Sequence, residues 1–175
     1  LPPDERQIFD DIAGKRGRVP NVMSALLNSP QAAARWSDLA VYLRFRSKLE
    51  PAVRELAFLT VAREIDCQYV WTAHEPLARR AGITDATILS IRDRRAPDGL
   101  LPEEAVVVQY AQQLLRSHVA TEEVFQAVLR QLEAQGVVDV TTIIGYYIMF
   151  GLAILALQVE LEPGVTPLLP IPNAQ

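Results

Sequence analysis

No charged side chain stands between Val140 and Val159, and coiled into a helix that run is long enough to cross a bilayer. A chain carrying such a segment must sink it in lipid, in its own core or in a subunit interface. Both flanks are acidic (Asp139, Glu160 and Glu162), and no lysine or arginine stands close to either end as an anchor. Thr141, Thr142, Gly145 and Gly151 dilute its apolar character. The run therefore reads as the buried centre of a bundle or as a contact between subunits, with no membrane span. It is the main reason to expect an oligomer.

The rest of the chain is punctuated into helical blocks by proline and glycine. Pro3 to Lys15 reads as a first helix with Ile8, Phe9 and Ile12 on one face, followed by a loop from Gly14 to Asn21 and a short helix from Val22 to Asn28. Pro30 and Pro51 open longer helices, as a proline at the first helical position can. The Pro30 helix carries Ala33, Trp36, Leu39, Ala40 and Leu43 near a 3–4 spacing, and the Pro51 helix runs to about Glu64. Cys67 to Ala81 follows and stops at Gly82, and Thr84 can cap a helix from Asp85 to Ile91. Pro102 to Ser117, Thr121 to Gln135 and Val137 to Leu161 complete the series. No stretch alternates as a half-buried strand would, so the fold class is all-α. The 175 residues form one domain, with 1–20 as an N-terminal arm and 163–175 as an extended, proline-rich tail suited to lying on a neighbouring subunit.

Composition excludes several functions. Half of the residues are hydrophobic, enough for a sizeable core at this length. A net charge of −4 with only short arginine clusters, Arg79–Arg80 and Arg92 to Arg95, argues against a nucleic-acid partner. Cys67 is the only cysteine, which rules out an intrachain disulfide and a multi-cysteine zinc site. Two distant histidines, His74 and His118, give no metal-ligand spacing, and His118 reads as a helix-terminal residue. Leu1 to Arg6 shows no secretory leader, so a cytoplasmic enzyme or binding protein is expected.

The chemistry concentrates between Arg54 and Glu75. The helix break falls near Ile65–Asp66, where Asp66 can cap the second helix. Glu55 lies about ten residues before this break and His74 about eight after it. At about 1.5 Å of rise per residue they reach similar heights on antiparallel neighbours. Cys67, Trp71 and His74 share a face at i, i+4 and i+7. Glu55 shares its own face with Phe58, Leu59 and Ala62. A Glu–His pair in that setting can pass a proton near neutral pH, or it can be a satisfied buried pair with no chemistry. From spacing alone Trp71 reads as core ahead of a stacking wall, and Cys67 as a small buried residue ahead of a nucleophile.

Glu55, then Cys67, then Tyr69-Val70-Trp71-Thr72-Ala73-His74, then Ala81-Gly82-Ile83, resembles the carboxymuconolactone decarboxylase family, whose superfamily includes the alkylhydroperoxidase D (AhpD) proteins. The close resemblance covers Pro51 to Ile91. It implies an AhpD-like helical bundle with a central hairpin, assembled as a trimer or hexamer. The peroxidase branch of the family carries a CxxC pair followed by a histidine, with a glutamate on the preceding helix. Here Cys67, His74 and Glu55 match that pattern, but Val70 stands at the second cysteine. A dithiol–disulfide cycle needs both thiols; alone, Cys67 can at most form a sulfenic acid that an outside thiol reduces.

The decarboxylase branch is the better match. It implies a cofactor-free lyase acting on a small carboxylated lactone or related acid, with no metal. Glu55 and His74 would transfer protons, Trp71, Val70 and Tyr69 would wall the pocket, and Arg54 or Arg63 would hold a carboxylate. A thiol-dependent hydroperoxide reductase using Cys67 and a non-enzymatic oligomeric binding protein are the competing functions.

Overall fold

The computed structural model describes residues 19–171, together with Arg6, Asp10, Asp11 and Gly14; the helix expected over Pro3 to Lys15 lies largely outside the described residues. Within them the chain forms seven α-helices and no strand: α1 (Asn21–Leu26), α2 (Pro30–Val41), α3 (Pro51–Glu64), α4 (Gln68–Arg80), α5 (Asp85–Arg92), α6 (Pro102–Ser117) and α7 (Glu122–Ala156). Between α2 and α3 the helix widens into a π-helical turn, Tyr42–Arg46.

The helix starts follow from local chemistry. Pro30, Pro51 and Pro102 occupy first-turn positions, where a missing N–H costs nothing. The Thr84 and Thr121 hydroxyls accept the backbone N–H of Thr87 and Val124 at 3.2 and 3.4 Å. Gly82, at φ 87°, ends the α4 region in a left-handed conformation that a side chain would disfavour. Asp66 does not cap α4. Cys67 holds that position, while Asp66 adopts φ 53° and its carboxylate pairs with Arg63 and Arg94.

α3 is the centre of the molecule. Every residue from Glu55 to Arg63 is buried, and α4, α5, α6 and α7 all pack around it. The uncharged run reads from sequence as a buried centre or as a contact between subunits; in the structure it covers one side of α3. Within α7 the most apolar 18-residue window is 50% buried. Val138, Met149, Leu152 and Leu155 face outward. The two helices expected with a junction at Gly136 are there, but the break falls at Glu133 (φ 58°, ψ 175°), dividing α7 into 122–132 and 134–156. The helix also ends at Ala156 rather than Leu161. Beyond it the chain folds back on its own α4: Leu169 is buried and the Leu168 N–H donates to Thr72 Oγ1 at 3.2 Å. The described part of the tail thus packs on its own subunit.

Candidate active site

The α3–α4 hairpin turns within three residues. The Cys67 N–H donates to the Ala62 carbonyl at 2.8 Å, which closes the turn and starts α4 beside α3. This tight closure sets the register that brings Glu55 and His74 to the same height. His74 Nδ1 lies 2.8 Å from Glu55 Oε2, and both side chains are buried. On the other edge of the imidazole, Nε2 lies 3.3 Å from the hydroxyl of Tyr147, carried by α7. An ionised Glu55 can only accept, so the proton belongs on Nδ1 and Nε2 accepts from Tyr147. Phe58 packs against both rings, with centroids 4.4 Å from His74 and 4.2 Å from Tyr147.

Burial pushes the His74 pKa below its ordinary value; the Glu55 carboxylate opposes the shift and Arg44 adds to it. His74 is therefore mostly neutral at pH 7, and once protonated it gives up the proton more readily than an ordinary imidazole.

His74 and Tyr147 form part of the wall of a cavity of about 350 Å³. Val70 and Tyr69 from α4 line it, as do Arg44 from the π turn and Tyr146 and Phe150 from α7. The segment after α7 contributes Leu161, Glu162 and Val165. Glu162 Oε1 accepts from the Tyr69 hydroxyl at 2.7 Å and from the Asn21 N–H at 2.9 Å, which ties this segment to α4 and α1. Glu55 borders a separate, more open hollow with Pro51, Leu77 and Arg80. The Glu55–His74 bond thus lies between two recesses.

Of the residues singled out in the sequence, Glu55 and His74 come together, and Tyr69 and Val70 line the cavity beside them. The others do not join them there. Trp71, proposed as a pocket wall, is fully buried outside the cavity lining, with Nε1 donating to Glu75 Oε2 at 2.6 Å. Cys67 is fully buried beneath α7 near Gly151, and burial pushes its thiol pKa up. Such a thiol is a poor nucleophile. Arg54 donates to the Leu49 carbonyl and Arg63 to Asp66 and the Arg92 carbonyl, so neither is a cation of the cavity. Among the described residues no three histidine, cysteine or acidic side chains are grouped to hold a metal ion.

Among the cavity residues that escaped the sequence reading are Tyr147, Arg44 and Glu162. Tyr147 left a signal, since a hydroxyl in an uncharged helix needs a buried partner. Arg44 and Glu162 left none, because neither belongs to the hairpin or to its spacing.

This architecture, a helical bundle around a hairpin that buries a Glu–His pair beside a small cavity, is an AhpD-like fold. It is similar to the crystal structure of a peroxidase-related protein from Silicibacter sp. TM1040, with TM-score 0.75 and 20% identity over 94% of this chain and 88% of that one. It is equally similar to an alkylhydroperoxidase AhpD core, a peroxidase-related protein from Ralstonia eutropha JMP134, with TM-score 0.76 and 19% identity over 95% and 92%. No curated protein matches the sequence. Residues 30–113, which hold the whole hairpin, match the model of the carboxymuconolactone decarboxylase family.

Proposed function

We propose that the protein is a cofactor-free lyase that decarboxylates a small carboxylated lactone or a related unsaturated acid by proton transfer through His74 and Glu55. The observation that carries this reading is the position of His74, with one nitrogen on buried Glu55 and the other at the cavity wall beside Tyr147. Loss of carbon dioxide leaves the electron pair of the broken C–C bond delocalised into the unsaturated acid. His74, neutral at rest, takes up a proton from solvent at Nε2 and gives it to carbon, while Glu55 steadies the transient imidazolium and orients the ring. The lowered pKa suits this role, because the imidazolium releases its proton readily. Tyr69 and Val70 form the wall next to the reacting atoms.

The test is carboxymuconolactone loss followed by ultraviolet absorbance. His74→Ala and Glu55→Ala are expected to lower turnover by about 10²–10⁴-fold; unchanged turnover in both removes the assigned roles.

A thiol-dependent hydroperoxide reductase is the second reading, favoured by the peroxidase-related description of the similar structures. Against it stand the buried Cys67, outside the cavity lining, and Val70 where a resolving thiol would be. Peroxide consumption that disappears in Cys67→Ser would establish it over the lyase. The cavity beside the Glu–His pair weighs against a purely structural protein. The proposal includes a cytoplasmic homo-oligomer, assembled over the outward apolar face of α7.

A further inference from the structure

We infer that Arg44 makes the cavity a binding site for a flat, single-ring carboxylic acid, with the carboxylate on the guanidinium and the ring against the aromatic wall of α7. This names the ligand class of the proposed active site and rests on the same cavity, though not on the reaction assigned to it.

The charge comes first. Arg44 is half-buried on the π turn, lines the cavity and makes no ion pair with any described residue. Its guanidinium carbon stands 5.3 Å from the Phe45 ring centroid, a cation–π contact that leaves its hydrogen-bond donors available. The arginines around the hairpin are already engaged: Arg54 by Leu49, Arg63 by Asp66, Arg79 by Glu75 and Arg116 by Glu64. Glu162 lines the same recess but is tied to the Tyr69 hydroxyl and the Asn21 N–H, and no described residue forms an ion pair with Arg44. A guanidinium so placed in a mostly apolar recess is a site for an anion, and its planar fork matches a carboxylate with two parallel hydrogen bonds. The field of Arg44 reaches His74, where it disfavours the protonated ring, so the anchor acts at the reacting group as well.

The shape comes second. Tyr146 and Phe150 stack, with centroids 5.7 Å apart and planes 19° from parallel, and Tyr147 stands edge-on to Tyr146. Together with Val22, Ala40 and Val70 they form an aromatic and aliphatic wall suited to a flat ring. A volume of about 350 Å³ is at the small end of ligand cavities, which favours one substituted ring over a fused or extended ligand.

The probe is benzoate, titrated into the full chain by calorimetry, with benzamide as the uncharged analogue of the same shape and acetate as the anion without a ring. Benzoate is expected to bind the wild type at least about tenfold more tightly than either. Arg44→Gln is expected to lose about tenfold or more in benzoate affinity, and Arg44→Lys to fall between, keeping the charge but not the paired hydrogen bonds. Arg46→Gln, altering an exposed arginine of the same turn outside the cavity lining, is expected to leave affinity unchanged. Thermal melts of each variant confirm that the fold is retained. Benzoate binding that persists unchanged in Arg44→Gln, benzamide that binds as tightly as benzoate, or a wild type that binds neither overturns the assignment. A protein that binds benzoate through Arg44 but turns over no lactone keeps this site and loses the lyase reading. Lactone turnover indifferent to Arg44→Gln does the reverse.

Discussion

His74 is asked to be two things at once, a buried ring and a proton carrier, and burial sets the terms. In the unfolded chain its pKa is the ordinary 6.5, and in the folded protein burial holds it lower. Between those two values the unfolded state binds more protons, so stability rises with pH across this window, is fully present above 6.5 and falls on acidification. The slope from one such group is at most about 1.4 kcal/mol per pH unit. His74→Gln, whose amide can still donate to Glu55, is expected to flatten the decline below pH 6.5; urea unfolding at several pH values measures it. An identical decline in the variant would mean that other groups carry the acid sensitivity. Cys67 shows the opposite use of burial. It occupies the family position of a reactive thiol, yet the same desolvation makes it a small packing residue under α7.

At the scale of elements, the hairpin was legible because its determinants are local. The i, i+4, i+7 spacing of Cys67, Trp71 and His74 and the counts on either side of the break follow from helix geometry alone. Spacing defined a shared side of α4 but not what each residue on it would meet: His74 reaches the cavity, while Trp71 turns to Glu75. The break in α7 was misplaced for a similar reason. Gly136 looked like the punctuation, but its role is to let the chain pass closely. A methyl group there would stand 2.8 Å from Leu132 Cβ and 3.3 Å from Leu49 Cδ2, and the irregular backbone stands upstream at Glu133. Gly136→Ala is therefore expected to destabilise the fold by about 1–3 kcal/mol through overpacking, despite alanine's better helix propensity. For a chain of this size each kcal/mol lowers the melting temperature by about 2–4 °C, and calorimetry reads the shift. A melting temperature equal to or above that of the wild type would contradict the close approach.

At the scale of the molecule, α7 has two faces with different tasks. Tyr146, Tyr147 and Ile143 turn inward to the cavity and core. Val138, Met149, Leu152 and Leu155 remain outside, and from Val140 to the end of α7 no charged residue keeps this face apart from another apolar surface. A second copy of the chain is the expected cover for this face. Light scattering after gel filtration should give an oligomer for the wild type and a smaller species for Leu152→Glu; a monomeric wild type would sink this expectation. By itself the sequence determined the helical class, the main helix starts and the height at which Glu55 and His74 meet, because proline position, helical period and loop length act over a few residues. Only the tertiary structure decided that α3 and not the uncharged run is the core, that Trp71, Cys67 and Arg54 stand apart from the cavity, and that Arg44, Tyr147 and Glu162 close it. Those side chains come from segments about 100 residues apart, and which of them share a wall depends on how whole helices pack, which no local pattern encodes.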